Sequence, residues 1–247
     1  PHVADIVPEL TRTMITYGFS KNADIRATRV RQDAQRMHFN VRLPHRDDPL
    51  AITLNLPGRH NVLNALAAIA VGWELGVKGA DMQQALSQFQ GIGRRFNVHG
   101  EIDVAGVRAL FVDDYGHHPT ELAATIEAAR NGWPKRRLVA VFQPHRFSRT
   151  RDLLDDFAAV LSGVDALILA EVYPAGEQPI NGADGRSLAR AIRSRGQVDP
   201  VFVNHPRECR EVLPGLVHED DLVLLLGAGD IGAVASEIYE SGFEGGR

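Results

Sequence analysis

RLVAVFQPHRFSRTRDLLDDFAAVLSGVDALILA, residues 137–170, is the stretch that decides the fold class. Its two ends, residues 137–142 and 165–170, are apolar runs of strand length, while residues 150–162 between them carry apolar side chains at helical spacing. A strand, a helix and a second strand in this order predict a βαβ unit, whose two strands run parallel in one sheet.

The same alternation continues on both sides of this unit. Further helices are predicted at 119–131, 186–194, 206–213 and 230–240, and further strands at 199–203 and 221–226. Residues 96–104 and 108–112 are predicted to pair as strands across Ala105-Gly106. Because βαβ crossovers are right-handed, the pattern predicts an α/β fold with a mostly parallel sheet and flanking helices.

The N-terminal third of the chain has a different pattern. Short segments rich in β-branched and aromatic residues predict a small antiparallel sheet, with strands at 13–17, 24–31, 35–43 and 50–54. Apolar residues at helical spacing follow at 61–75 and 81–89. We place a domain boundary at the break Gly91-Ile-Gly93, which divides the chain into residues 1–92 and 93–247.

The composition is that of an ordinary globular protein. The 247 residues are 44% hydrophobic and 23% charged, and the net charge of −4 gives no global basic field for nucleic acid or an anionic membrane. There is one cysteine, Cys209, no apolar run of about 18 residues and no signal-peptide pattern, so we expect a cytoplasmic protein. Because the first residue is Pro1 and not Met, we expect a fragment or a processed chain.

The loop DDYGHHPTE, residues 113–121, places two carboxylates, a phenol and two imidazoles directly after a predicted strand. Ligands of parallel α/β sheets collect beyond the carboxyl ends of the strands, so this loop is a candidate site. The alternative is a polar loop with a good helix cap, because Pro119 and Glu121 fit the first turn of the next helix. Five functional side chains in six positions favour the site.

The loop FQPHRFSRT, residues 142–150, repeats this arrangement one βα unit later. Arg146 and Arg149 offer planar sets of donors near a helix N-terminus, which is typical of carboxylate or phosphate binding. A solvated basic turn is the alternative. We expect the two loops to lie at neighbouring strand ends. A third polar loop, EVYPAGE at residues 171–177, follows the next strand and extends the candidate active face.

Four other side chains are candidate ligands. His60 and Asn64 lie four residues apart, so both face one ligand if residue 60 is already helical, and an asparagine amide pairs well with an adenine edge. The alternative is that Asn61 caps this helix. Arg94 and Arg95 lie at the domain break, where an arginine either reaches a phosphate as domains close or forms a surface charge pair.

The segment GAGDIG, residues 227–232, is a formal GxGxxG pattern after a predicted strand. A dinucleotide site needs an acidic residue about 20 positions further on, and too few residues follow Gly232. We therefore interpret the segment as a tight strand-to-helix turn, with an anion at this helix N-terminus as the alternative. GxxxxGK[ST], CxxC, HExxH and GxSxG patterns do not occur, so the sequence does not support a Walker A loop, a zinc site or a serine hydrolase elbow.

Six segments of the chain resemble motifs of the Mur ligase family, and most closely of its alanine-adding type. In chain order they are LPGRHNVLNALAA, GIGRRF, DDYGHHPTE, QPHRFSRT, EVYPAGE and GAGDIG. In a related ligase that recycles murein tripeptide, alanine stands in place of Gly116. The resemblance implies that residues 1–92 end a central ATPase domain and that residues 93–247 form a Rossmann-like, amino-acid-binding domain. The family's N-terminal UDP-binding domain and its GTHGKT-type phosphate loop have no counterpart in this chain.

The resemblance also implies an activity: the ATP-dependent joining of L-alanine to UDP-N-acetylmuramate through an acyl phosphate. The Mg²⁺ ligands are expected mostly outside this chain, so no metal ligand is assigned. The residues implied for nucleotide binding are His60 and Asn64 (adenine), Arg95 (phosphate) and Asp114 (ribose). Those implied for alanine and the reacting carboxylate are Tyr115, His117, Arg146 and Arg149, and the last three are the expected catalytic residues.

The expected partners are these substrates and the missing N-terminal region, with no nucleic acid and no membrane. A homodimer is a further hypothesis. Two alternative functions stay open, namely a non-catalytic nucleotide-binding module of the same fold and the tripeptide-recycling ligase. A weaker third alternative, an NAD-dependent oxidoreductase, rests only on the GAGDIG segment.

Overall fold

The computed structural model describes residues 7–9 and 11–243, which group into two compact units. The first unit comprises residues up to Arg31, Met37–Asn55 and His60–Phe89, and the second comprises Gln32–Arg36, Leu56–Arg59 and the residues from Gln90 onward. In the described part of the chain, no helix combines the length and the apolar character needed to cross a membrane.

The first unit contains a four-stranded sheet of β1 (Tyr17–Gly18), β2 (Ile25–Asp33), β3 (Arg36–Arg42) and β4 (Leu50–Leu54), in that order. β3 and β4 pair antiparallel, as predicted. The strand predicted at 13–17 is wrong, because only Tyr17 and Gly18 pair, and they pair parallel to β2. In the preceding residue, the backbone N–H and the hydroxyl of Thr16 both donate to one oxygen of Asp24 (2.8 and 2.6 Å), so this N–H is not available to a neighbouring strand.

Two helices complete the first unit, α1 (Arg59–Glu74) and α2 (Gly79–Gln88), close to their predicted positions. Alternate residues of β3, Met37, Phe39 and Val41, are buried, as the period of a strand with one face on the core requires. α2 packs against β4 so closely that a β-carbon on Gly79 would lie 2.7 Å from a Leu50 methyl.

The second unit contains a six-stranded sheet in the order β5-β6-β10-β7-β8-β9. Its strands are β5 (Asn97–Val104), β6 (Val107–Asp114), β7 (Leu138–Phe142), β8 (Ala166–Ala170), β9 (Val201–Val203) and β10 (Leu222–Leu226). β5 pairs antiparallel with β6 and every other pair is parallel, which confirms the predicted mostly parallel sheet. The last strand of the sequence, β10, lies at the centre.

Helices flank this sheet, namely α3 (Pro119–Gly132), α4 (Phe147–Asp152), α5 (Leu154–Leu161), α6 (Gly185–Ser194), α7 (Cys209–Val212) and α8 (Ile231–Ser241). The single helix predicted at 150–162 is wrong, because it starts at Phe147 and breaks at Leu153 (φ −122°, ψ 24°). The helix predicted at 206–213 is only partly α-helical, because 3₁₀ turns at Pro206–Glu208 and Leu213–Gly215 flank the short α7, and Pro214 lacks the N–H that would continue the α-helix.

Apolar side chains cover both faces of the second sheet. On β10, Leu222, Leu224 and Leu226 join the core cluster on one face, while Val223 and Leu225 join the cluster on the other. Both faces of a parallel strand of this kind are buried, so its sequence is a continuous run of apolar residues. For this reason the strands were recognised in the sequence as short apolar runs and not by an alternation of apolar and polar residues.

Candidate functional site

The candidate site lies where three parallel strands of the second unit end at the same level. Leu226 of β10 is in register with Asp114 of β6 on one side and with Phe142 of β7 on the other. The expectation that the 113–121 and 142–150 loops follow neighbouring strands is therefore wrong, because β10 lies between β6 and β7. The glycine-rich turn that begins at Gly227 follows this central strand.

The first loop is held by a helix cap. One oxygen of Glu121 accepts hydrogen bonds from the backbone of His117 (3.0 Å) and His118 (3.2 Å). The His118 ring accepts from the backbone of Thr120 (3.2 Å) at the start of α3, so this imidazole is used in capping. Burial opposes the ionisation of Glu121, but the His117 backbone bond and the nearby positive charges outweigh it and lower the pKa of the carboxyl.

Asp114 is buried beneath the same loop. Its two oxygens accept from the backbone N–H groups of Phe96 and Gly116, both at 2.7 Å. Burial raises the pKa of this carboxyl, against the opposing effect of these two bonds. A β-carbon on Gly116 would lie 2.7 Å from the Asp114 oxygen that Gly116 binds. Asp114 therefore fixes the loop, and its implied ribose contact stays a prediction.

The second loop has an unusual backbone at Arg146, which adopts φ 75° immediately before α4. Its N–H donates to Tyr173 O (2.8 Å), and its carbonyl accepts from the backbone and hydroxyl of Thr150 (3.1 and 2.9 Å). Because α4 begins at Phe147, Arg149 lies in the first turn of the helix, and its guanidinium donates to His145 O (3.2 Å).

A row of four rings connects the three predicted loops, in the order Tyr115, His117, His145, Tyr173. The successive centroid distances are 5.3, 5.5 and 5.3 Å. Burial, then the charges of His117 and Arg149, lower the pKa of His145, so its imidazole is neutral at neutral pH. The structure thus brings Tyr115 and His117 next to the arginine loop (residues 142–150, which carry Arg146 and Arg149), as the sequence predicted for one active face.

Two arginines flank the Tyr115 end of this row. The guanidinium groups of Arg94 and Arg95 lie 5.1 and 5.5 Å from the Tyr115 ring centroid. Arg94 also donates to Gly227 O (2.6 Å) and lies 3.5 Å from the buried carboxylate of Asp113. Arg95 is half exposed and lies 3.4 Å from Glu121. Arg94 is therefore anchored by a backbone carbonyl, while Arg95 is the more exposed of the two guanidinium groups.

The GAGDIG turn is shaped by its neighbours. A β-carbon on Gly232 would overlap the Arg94 guanidinium, and one on Gly229 would lie 2.6 Å from the Gln143 amide oxygen and 2.8 Å from Tyr173. That Gln143 oxygen accepts from the backbone of Ile231 at the start of α8 (3.1 Å). The glycines make room for site residues, which explains the pattern without a dinucleotide.

The adenine candidates belong to the first unit. α1 begins at Arg59, so His60 is already helical, which was the condition for His60 and Asn64 to share a face. Asn61 lies inside the first turn, so the alternative that it caps the helix is wrong. Asn64 is exposed, and its amide donates to the Asn61 side chain (3.2 Å).

Sequence reasoning missed two contacts that shape the site. Tyr173 stacks on His145, and Glu177 accepts from Ser148 at the start of α4. Both lie in the 171–177 loop, whose polar composition was the only sequence signal. Among the described residues, no group of three or more His, Cys, Asp or Glu side chains is arranged to hold a metal ion.

Family comparison identifies both parts of the chain. Residues 94–229 match the family described as Mur ligase, glutamate ligase domain, and residues 1–72 match the Mur ligase middle domain. The chain belongs to the Mur ligase family. The resemblance noted from the motifs is thereby confirmed, and the α/β fold is the one this family has.

Curated Mur ligases are similar along nearly the whole chain. A protein of Xanthomonas campestris pv. campestris named UDP-N-acetylmuramate–L-alanine ligase is 58% identical over 246 residues, and one of Xanthomonas oryzae pv. oryzae with the same name is 57% identical. The alignments cover 99% of this chain and 51% of each relative. The chain therefore spans about half the length of these Mur ligases.

Solved Mur ligase structures have the same fold. The UDP-N-acetylmuramate–alanine ligase of Thermotoga maritima matches with a TM-score of 0.74 and 29% identity, over 92% of this chain and 48% of that one. A murein peptide ligase of Psychrobacter arcticus matches with a TM-score of 0.60 and 21% identity, over 94% of this chain and 46% of that one, which is a likeness of fold alone.

Proposed function

We propose that this chain supplies the amino-acid-binding and nucleotide-facing parts of an ATP-dependent ligase that joins L-alanine to UDP-N-acetylmuramate. The observation that carries this proposal is the 58% identity, over 99% of the chain, to a relative with that name. The proposed domain boundary lies at Gly91–Gly93, and the proposed location is the cytoplasm. The same similarity favours the alanine-adding ligase over the tripeptide-recycling one.

The arginine loop is the proposed site for the carboxylate of alanine. Arg146 is about half exposed, and the Arg149 guanidinium lies 3.4 Å from Nδ1 of His145, which is one of the four rings. Guanidinium forks bind carboxylates through paired, charge-assisted hydrogen bonds. Because His145 is neutral, it adds a polar ring to this site without a third positive charge.

His117 is the proposed proton acceptor for the alanine amine. Its Nδ1 lies 3.0 Å from Tyr115 O, and a carbonyl only accepts, so Nδ1 carries the proton. In the neutral form of this imidazole the other ring nitrogen, Nε2, has the free lone pair that a general base requires. Loss of a proton from the ammonium group makes the amine nucleophilic toward the activated carboxylate.

ATP would supply the phosphoryl group that activates the muramoyl carboxylate, and Mg²⁺ would neutralise phosphate charge. His60 and the exposed amide of Asn64, on one helical face, suit an adenine edge, and the half-exposed Arg95 suits a phosphate. In the proposed ribose contact, a ribose hydroxyl would donate to the carboxylate of Asp114, which already accepts two backbone hydrogen bonds.

The test uses a full-length Mur ligase that carries this chain. Phosphate release is measured with UDP-N-acetylmuramate and ATP, and with L-alanine or murein tripeptide as the second acceptor. We expect release that depends on alanine. Phosphate release that depends on the tripeptide alone would support the recycling ligase. If neither alanine nor the tripeptide caused phosphate release, the proposal would be refuted.

Arg149→Ala tests the carboxylate site in the same enzyme. Loss of a charge-assisted hydrogen bond is worth roughly 1.5–3 kcal/mol, so the alanine KM is expected to rise about 10- to 100-fold. The matched control is Arg151→Ala, because Arg151 is exposed and pairs with the adjacent Asp152. An unchanged alanine KM in Arg149→Ala would contradict the assignment.

A further inference from the structure

The carboxylate of Glu177 is bound at the start of α4. One oxygen accepts from the Ser148 backbone (3.0 Å), and the other accepts from the Ser148 hydroxyl (2.7 Å) and lies 3.6 Å from the Arg146 guanidinium. The Ser148 hydroxyl bond is the largest cause of a lowered pKa for this carboxyl, so Glu177 is ionised at neutral pH. An acidic side chain from the third loop thus holds the second.

α4 needs this contact because it has no cap of its own. The residue at its N-cap position is Arg146, whose side chain makes no capping hydrogen bond. The first N–H groups of a helix have no partner inside the helix, and a side-chain oxygen normally accepts from one of them. Glu177 provides that oxygen from a distance of 29 residues along the chain.

The same loop also holds the backbone of Arg146. Tyr173 N donates to Pro144 O, and Arg146 N donates to Tyr173 O, both at 2.8 Å, so the two loops are joined like short parallel strands. Arg146 is in the left-handed region, with φ 75°, where a residue with a β-carbon is strained by roughly 1–3 kcal/mol. A conformation of this kind persists only where neighbouring contacts fix it.

We propose that Glu177 is a positioning residue for the arginine loop: by binding Ser148 and Arg146 it fixes the start of α4 and so directs the Arg146 and Arg149 guanidinium groups at the amino-acid carboxylate. This inference rests on the proposed function. Glu177 touches neither reacting group in this scheme and acts through the two arginines. Its loss therefore weakens amino-acid binding more than nucleotide binding.

The experiment compares Glu177→Gln, Ser148→Ala, Ser148→Thr and Glu240→Gln in the full-length ligase. Glutamine keeps the size of Glu177 but replaces one acceptor oxygen with an amide N–H₂, which cannot accept a hydrogen bond from Ser148. Ser148→Ala removes the hydroxyl bond alone, and Ser148→Thr restores it. Glu240 is an exposed carboxylate on the last turn of α8 and serves as the matched control. Steady-state constants are measured for alanine, ATP and UDP-N-acetylmuramate, with the melting temperature of each variant.

We expect the alanine KM to rise about 10- to 100-fold in Glu177→Gln and about threefold in Ser148→Ala, since small displacements of positioning groups have effects of this size. The KM for ATP should stay near wild type in every variant, and all the measured constants of the Ser148→Thr and Glu240→Gln enzymes should stay near wild type. A merely structural role would lower the melting temperature and leave the alanine KM unchanged.

Two results separate the possible failures. If the unmodified enzyme shows no alanine-dependent activity, the proposed function fails. If it is active, and the alanine KM of Glu177→Gln and Ser148→Ala stays within twofold of wild type, the positioning role is overturned. Should Glu177→Gln not fold, Ser148→Ala against Ser148→Thr decides by the same criterion.

Discussion

Replacing Asp114 with alanine tests whether this buried carboxylate holds the first loop. The substitution leaves the N–H groups of Phe96 and Gly116 without their acceptor, and both bonds are 2.7 Å. Each buried donor that loses its partner costs roughly 1–3 kcal/mol, hence roughly 2–6 kcal/mol for the pair. Since water entering the space left by the carboxylate would replace part of this, we expect about 3 kcal/mol, or a melting temperature lower by about 6–12 °C.

Urea unfolding followed by tryptophan fluorescence measures this change. Trp133 stacks on Phe96 with ring centroids 5.9 Å apart, so its emission reports on a residue that Asp114 binds. The chain has two tryptophans, and a Trp73→Phe background leaves Trp133 as the single reporter. The fluorescence midpoint and its slope then give the free energy of unfolding.

Asp103→Ala is the matched control. Asp103 also accepts one backbone hydrogen bond, from Gly106 at 3.0 Å, but it lies exposed near the end of β5, beside the turn to β6. We expect its loss to cost less than about 1 kcal/mol, because water can reach the freed N–H. If Asp114→Ala destabilised the chain no more than Asp103→Ala, the assignment of a loop-fixing role to Asp114 would be wrong.

Three other predictions concern the same unit. Gly232→Ala forces a β-carbon into the Arg94 guanidinium and should lower the free energy of unfolding, measured in urea, by about 1–3 kcal/mol. Gly215→Ala is the control and should be neutral, because the space around Gly215 is open. Equal stabilities of the two variants would contradict the packing explanation of the GAGDIG turn. NMR titration should give His145 a pKa below 6.5, and Arg149→Met should raise this pKa toward 6.5. The contribution of His145 to stability is present above pH 6.5 and is lost as the pH falls toward the pKa of the folded state. An unshifted titration would show that burial and the neighbouring charges do not act on His145. Cys209 is fully buried and burial raises its pKa to about 12, so a thiol reagent at neutral pH should modify it only after urea unfolding, and rapid labelling of the folded chain would refute this.

The second unit was largely predictable because its strands are continuous apolar runs and its helices have clear spacing. The failures among its helices were local: Leu153 breaks a helix whose apolar pattern continues across it, and the helix predicted at 206–213 is divided into short turns that end at Pro214 and Gly215. Apolar periodicity reports burial, and it does not record where the backbone bends.

Strand order was harder to predict. Neighbours in sequence are usually neighbours in a sheet, so the loops after β6 and β7 were expected side by side. The insertion of β10 between them depends on contacts among residues more than 80 positions apart, as in the pairing of Leu222 with Leu138. No local pattern in Leu222–Leu226 distinguishes a central strand from an edge strand that is covered on both faces.

The residue types of the candidate site were predictable, but their local roles were not. His118 and Glu121 serve the helix cap, and Asp114 is turned inward to the backbone. A polar loop shows that such groups are present, while the hydrogen-bond partners that occupy them come from other segments, as Phe96 does for Asp114. Glu177 was inconspicuous for the same reason, since its partner Ser148 is distant in sequence.

The central position of β10 has a consequence for how the chain is made. During synthesis β6 and β7 emerge first, and each presents an open edge until Leu222–Leu226 follows. Unpaired strand edges are templates for association between chains, so this interval is the one in which aggregation competes with folding. A stop codon just before Leu222 would remove β10 and would leave β6 and β7 each with one open edge. For this fold, nascent chains and late truncations are therefore the forms most in need of a chaperone.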